Sequence, residues 1–226
     1  MRILRTFAIL SVCLCAAARA NAQQIGILGG LNVTNIAFSP SLSSVFEDEF
    51  GFDNASVTRH LGLLGGVQFA APLGGDLRLV VEGLVRQGGI TIDADIADFT
   101  GQAVLSDKIK LTWVEVPVML DVAVGRNAHV QGGIFVASKV HQKEHVKFAF
   151  EDEIIQDDDV TGSDQTQLKS LNVGVAIGVQ VRASRLIDIG GRLNLGLTNI
   201  DNEVETGFES IKAGGFSVFV VFHPGR

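Results

Sequence analysis

The chain of 226 residues is short of several residue types, and each shortage excludes something. Its two cysteines, Cys13 and Cys15, both lie in the first 22 residues. The remainder therefore has no disulfide framework, no thiol nucleophile and no cysteine metal ligand. Tyrosine is absent, tryptophan occurs once, at Trp113, and proline only four times. Few prolines leave nearly every backbone donor intact, as a continuous antiparallel ladder requires. After the leader, no run of 18 apolar residues occurs, which excludes a transmembrane helix. Positive charge is scarce as well. Without Arg2, Arg5 and Arg19 of the leader, fifteen basic residues face 25 acidic ones, a net charge of −10. A nucleic-acid-binding surface has the opposite balance, so no nucleic acid is expected as a partner.

What is present begins with that leader. Arg2 and Arg5 precede an apolar run over residues 6–18, followed by Ala20-Asn21-Ala22. A basic start, a short apolar core and small residues at −3 and −1 define a secretory signal peptide, residues 1–22, cleaved after Ala22. Residues 23–226 then form the mature domain. A lipid anchor on either cysteine is disfavoured, because Val12 and Leu14 stand where a small residue is wanted.

The mature chain carries eight segments of strand-like alternation. Near residues 24–37, Ile25, Ile27, Leu31 and Val33 alternate with Gly26, Gly30, Asn32 and Thr34. Period two means one apolar face and one small or polar face. Residues 58–70 set Leu61, Leu63, Val67 and Phe69 against Gly62, Gly66 and Gln68. Residues 76–87 oppose Leu77, Leu79, Val81 and Val85 to Arg78, Glu82 and Arg86. Residues 108–124 carry valines and Leu120 on one face and Trp113, Glu115, Pro117, Met119 and Asp121 on the other. Segments near 128–140, 170–182, 186–198 and 210–222 repeat the pattern, and the seventh places Asp188 and Arg192 on the polar side.

Connections between these segments alternate long and short. The long ones cover residues 38–57, 88–107, 141–169 and 199–209; the short ones are 71–75, 125–127 and 183–185. Long loops at one end and tight turns at the other, with an even strand number, describe a barrel threaded through an outer membrane. The fold expected is all-β: an eight-stranded antiparallel up-and-down transmembrane β-barrel. Its apolar face meets outer-membrane lipid and its charged face points inward, because charge facing lipid is costly. A soluble lipocalin-like ligand-binding barrel would reverse the two faces. Its solvated exterior suits the small residues and mixed charges less well than a packed interior does. Pro117 in mid-strand calls for a bulge.

Two segments resemble a known family. Gly26-Ile27-Leu28-Gly29-Gly30-Leu31-Asn32-Val33-Thr34-Asn35-Ile36 is similar to the opening strand of PorT-like outer-membrane β-barrels. Trp113-Val114-Glu115-Val116-Pro117-Val118-Met119-Leu120 is similar to their fourth strand. The resemblance runs in strand order over the mature chain. It implies an outer-membrane barrel of the Bacteroidetes type, with a secretion-accessory role for the family's namesake and no assigned activity for most members. The lack of tyrosine departs from the aromatic girdles usual at membrane interfaces.

Three constellations could carry chemistry. His141-Gln142-Lys143-Glu144-His145 spells an inverted zincin motif, which needs a helix to bring both histidines and the glutamate to one metal; its neighbours read as strand. Asp157-Asp158-Asp159-Val160-Thr161-Gly162 opens like a calcium loop, but Leu168 occupies the position of the required bidentate acid. Glu115 and Asp121, with Arg78, Arg86 and Arg192, would meet inside the barrel, where eight strands leave space for side chains only. No catalytic, cofactor-binding or metal residue is assigned on this basis, and no cofactor is expected. The reading is a non-enzymatic outer-membrane protein of a Gram-negative bacterium. Its structural, adhesion, assembly or secretion-accessory role would run through long acidic loops. Those loops, including Glu47 to Asp53 and Glu151 to Asp164, could engage another envelope protein or divalent cations. The alternative of a membrane-embedded lipid- or peptide-modifying enzyme would draw on His141 and His145 but finds no nucleophile beside them.

Overall fold

The computed structural model describes residues 24–39, 41, 53–98, 101–150, 153–161, 170–200 and 210–224. The leader, its cleavage point, the acidic stretch around Glu47 and residues 162–169 lie outside these. Nine strands appear in chain order: β1 (Gln24–Ser39), β2 (Asp53–Gly74), β3 (Leu77–Asp98), β4 (Gly101–Val124), β5 (Ala128–Phe150), β6 (Glu153–Thr161), β7 (Leu171–Arg182), β8 (Ile187–Gly196) and β9 (Ser210–Phe222).

Eight of them form one ring in the order β1-β2-β3-β4-β5-β7-β8-β9, and β9 pairs back onto β1 from Ile27–Phe222 to Ser39–Ser210. All pairings are antiparallel. The ring has no edge, which is the condition for β-structure in lipid, where no water exists to satisfy a free backbone group. The three tight turns lie at the end where β1 starts and β9 ends. Gly74 and Gly75 (φ 122° and 58°) and Gly125 (φ 81°) supply the left-handed conformations in the first two of these turns. A periplasmic N-terminus, as the leader predicts, would put this end in the periplasm.

The two faces separate as the alternation predicts. Leu28, Asn32, Glu82, Arg86, Glu115, Asp121, Asn172, Asp188 and Arg192 are buried, whereas Ile27, Leu63, Val85, Leu120, Ile134, Ile177, Leu193 and Val218 are exposed. A lipocalin-like arrangement would show the reverse. Trp113 is 1 % exposed and points inward, so the only tryptophan belongs to the lumen and not to an interfacial girdle.

Three expectations are corrected. Residues 88–107 are not a loop: β3 and β4 continue as a paired hairpin as far as Asp98 and Gly101. The alternation of Val146, Phe148 and Phe150 predicts that β5 continues past His141, and β5 does run to Phe150; the rest of the 141–169 connection is not all loop, because β6 pairs with the outer half of β5 from Lys143–Thr161 to Phe150–Glu153. The apolar alternation of Ile90, Ile92 and Ile109 supports these extensions, since strand pairing does not stop at the membrane surface. Pro117 makes no bulge. The β3–β4 register is the same on both sides of it, and pairing lapses only where Glu82 and Gly83 face Pro117 and Val116, as a residue without an N–H permits. The β4–β5 bulge falls instead opposite Thr112 and Trp113, where Val140 is the extra residue between Lys139 and His141.

Above this bulge the polarity of the sheet inverts. Inward positions of β1, β3, β4 and β9 become largely apolar, and Ile36, Ile90, Ile92, Leu111, Trp113, Ile200 and Ile211 share one core cluster, while β5 still sends Gln142 and Glu144 inward. Outward positions become polar: Gln87, Thr112, Lys110 and His141. Below the bulge the solvent for the outer face is lipid; above it, water. The inversion marks the outer membrane boundary without any aromatic girdle.

An arginine facing lipid tests this assignment. Ile177, 56 % exposed and about midway up β7, should cost about 2–4 kcal/mol on Ile177→Arg. Leu73→Arg, beside the tight turn after β2, should cost about 0–1 kcal/mol. Urea unfolding from liposomes, read by Trp113 fluorescence, measures both; equal costs would mean that Ile177 does not face the hydrocarbon.

Candidate functional site

Chemistry-bearing side chains gather in two places, the lumen and the outer hairpins. In the lumen, each buried carboxylate faces an arginine. Arg78 donates from Nε and Nη2 to the two oxygens of Asp121, both at 3.0 Å. Arg192 donates from Nη1 and Nη2 to Glu82 at 2.5 and 2.7 Å. Arg86 lies 3.1 Å from Glu115, and Arg182 lies 3.9 Å from Asp188. The alternation that sends every second residue inward puts all eight on one concave surface.

Neutral groups extend the network, although Arg86 Nε and Nη1 and Arg192 Nε make no hydrogen bond. Asn194 donates to Glu115 at 2.7 Å and Gln68 to Glu82 at 2.9 Å. Gln131 links Asp121 to Gln180, which donates to Asp188. His129 and His223 sit 2.9 Å from Asp121 and Asp188. The Arg192 guanidinium also stacks 5.0 Å from the centroid of Phe219. In the ring order, β3 and β8 are diametrically opposite, so the Glu82–Arg192 pair is a strut across the barrel. The charges expected inside are inside. What the sequence did not reveal is their pairing, because strands far apart in the chain, such as those of Glu82 and Arg192, meet only once the ring closes. No nucleophile, base and oxyanion donor converge among these described residues; the arrangement satisfies buried charge.

The outer hairpins dispose of both sequence motifs. His141 and His145 lie on the outward face of β5, paired with Thr112 and Lys108, and the inward face carries Glu144. A strand thus puts the motif's glutamate on the side opposite to its histidines, so the zincin geometry does not form. Asp157 to Thr161 are extended β6 backbone paired with β5, not the turn that a calcium loop requires; Gly162 lies outside the described residues. Among the described residues no group of three or more His, Cys, Asp or Glu is placed to hold a metal.

One carboxyl in this region is perturbed. Asp107, on the extramembrane part of β4, is pushed up to about 7, chiefly by burial, then by the negative charge of Glu144, with His145 opposing. A native pKa above the unfolded value means that the folded state holds a proton that the unfolded state has lost. Stability of the outer hairpin should therefore fall as pH rises from about 4 to about 7, then level off. Asp107→Asn should remove this slope. Amide hydrogen exchange of residues 103–112, corrected for intrinsic rates, follows it; a slope unchanged by the substitution would exclude Asp107 as its source.

The cross-barrel pair has its own test. Arg192→Leu leaves Glu82 buried and unpaired and should cost about 3–5 kcal/mol. Removing both charges, Arg192→Leu with Glu82→Leu, should recover most of it. A double-mutant cycle in liposomes gives the coupling; additive costs would mean that the strut is not an energetic unit.

The sequence model of the family described as outer membrane protein beta-barrel domain matches residues 18–202, in agreement with this architecture. Comparison with curated proteins finds no match. Among solved structures, the chain is similar to Ail, the attachment invasion locus protein of Yersinia pestis. Identity is 11 % over 90 % of this chain and 99 % of that one, with a TM-score of 0.44. Neisserial surface protein A is 12 % identical over 89 % of this chain and 99 % of its own, with a TM-score of 0.47. OprG from Pseudomonas aeruginosa is 12 % identical over 89 % and 93 %, with a TM-score of 0.34. The chain belongs to the outer membrane protein β-barrel domain family and resides in the outer membrane of a Gram-negative bacterium.

Proposed function

We propose that the protein is a non-enzymatic barrel acting through its extracellular hairpins, as an adhesion, assembly or secretion-accessory component. The supporting observation is the lumen. Its arginines and carboxylates neutralise one another, so the chemistry left for a partner is displayed outside, on strands that rise well beyond the lipid belt. Within the family, the motifs of residues 26–36 and 113–120 favour the PorT-like group. The expected partner is another envelope protein. Divalent cations held by the acidic residues of the outer connections are a secondary expectation.

The mature protein should begin at Gln23, and intact mass measurement of the outer-membrane form checks this. Shortening residues 151–164 removes β6 but leaves the eight-stranded ring intact, because β5 still pairs β4 and β7. The variant should keep its heat-modifiable folded band. It should also lose the cross-links that the full-length protein makes to an envelope protein in intact cells. Full-length protein in planar bilayers should show no discrete conductance steps. Steady channel conductance, or cross-links that survive the deletion, would count against a hairpin-borne role.

A further inference from the structure

Pairing between β1 and β2 stops at Val33–Leu61, although both strands continue. On its other side β1 stays paired to β9 as far as Ser39–Ser210, and β2 to β3 as far as Asp53–Asp95. A seam therefore opens between β1 and β2 above the lipid belt. Arg59 stands at this seam. Its partner on β3 is Ile90, which is buried inside the barrel, and cross-strand partners share a face. Arg59 is nevertheless exposed, and it lines a cavity together with Asn35, Lys212 and Phe216, which point outward from β1 and β9. The seam lets a residue of the inner register reach the exterior.

The cavity, of about 360 Å³, straddles the change of polarity. On the belt side its walls are Val33, Leu193, Leu195 and Phe216, part of the apolar outward face. On the far side they are Asn35, Arg59 and Lys212. Among the described residues, neither Arg59 nor Lys212 forms an ion pair or a hydrogen bond. Two cations on the wall of one cavity repel each other, and an anion bound between them turns that repulsion into attraction.

We propose that this cavity binds the phosphate of a lipid headgroup in the leaflet on the side of the long hairpins. An amphiphilic anion matches both halves of the wall, whereas a soluble anion leaves the apolar half unused. The depth fits. Arg59 lies two residues beyond Leu61 and Lys212 four beyond Phe216, so on strands tilted about 40° they stand about 5 Å and about 10 Å further along the membrane normal. The lysine stem bends back toward the belt over Phe216. Basic residues next to the hydrocarbon attract anionic headgroups at this depth. The planar fork of Arg59 suits two phosphate oxygens, Lys212 adds a point charge, and Asn35 offers a neutral amide donor. The acyl chains then run down over Leu193, Leu195 and Phe216. A lipid held across β9, β1 and β2 braces the barrel where its ladder is interrupted. This site depends on the barrel's place in the membrane and not on a protein partner.

The test uses full-length mature protein in phosphatidylcholine nanodiscs doped with a minority of phosphatidic acid, a phosphate monoester lipid. Native mass spectrometry counts the lipids retained as the disc is stripped. Wild-type protein should retain phosphatidic acid several-fold above its bulk fraction, and salt should weaken the preference. Arg59→Gln/Lys212→Gln should bring retention down to the bulk ratio. Either substitution alone should lower it part-way, and the single variants decide the matter if the double variant fails the heat-shift test for folding. Lys110→Gln, at an exposed lysine on β4 outside the cavity, should leave retention unchanged. Enrichment that persists undiminished in folded Arg59 and Lys212 variants, or that falls as far with Lys110→Gln, would overturn the site. So would saturation by inorganic phosphate in detergent micelles without any lipid preference in nanodiscs, which would assign the cavity to soluble phosphate.

Discussion

Ring closure by β1 and β9 is the constraint on which the rest of this structure depends. In hydrocarbon an unpaired N–H or C=O costs several kcal/mol, on the order of the whole stability of a small domain. A sheet can enter the membrane only by pairing its first strand with its last. The antiparallel ladder from Ile27–Phe222 to Ser39–Ser210 does this. Once closed, the sheet has one inside and one outside, and a period of two assigns every side chain to one of them. The apolar exterior and charged interior are consequences of that single topological fact.

The interior then faces a problem of its own. Arg86, Arg192 and four carboxylates are held away from bulk water, with Arg78 and Arg182 partly exposed, and a buried charge is tolerated only when paired and hydrogen-bonded. The neighbouring-strand pairs Arg78–Asp121 and Arg86–Glu115 follow from register alone. Glu82 and Arg192 are different, because they join opposite walls. Ladder bonds set the spacing between adjacent strands but not the cross-section of the ring, and a rigid bidentate pair across the diameter opposes flattening. Phe219 beneath the guanidinium adds a second restraint on the same side chain.

Outside the membrane the same strands obey the ordinary rule of soluble proteins. Ile36, Ile90, Ile92, Leu111 and Ile211 close the outer mouth with an apolar core, and the exterior turns polar. The inversion occurs within one strand, between Val114 and Thr112 on β4 and between Val85 and Gln87 on β3. It gives the outer hairpins stability independent of lipid. It also sets Lys108 and Lys110 on paired strands and not on a loop.

The sequence by itself determined a good deal. Alternation at Leu77 to Arg86 and Val114 to Val124 was enough to separate the faces, and Gly74-Gly75 and Gly125 marked the tight turns. The fixed period of a strand makes such reading local, so it needs no knowledge of neighbours. Strand ends were less legible. Residues 88–107 resemble a loop in sequence because the pattern there changes sides, apolar inside and polar outside. Sequence alternation looks the same whichever face is buried. Pro117 suggests a bulge, yet the irregularity falls at Val140, because register depends on both strands of a pair. Pairing partners were decided only by the tertiary structure. That Glu82 meets Arg192, that Lys110 faces Lys143, and that Glu144 turns away from His141 and His145 all follow from ring order and register. These are relations between distant segments, and they do not exist until the ring is closed.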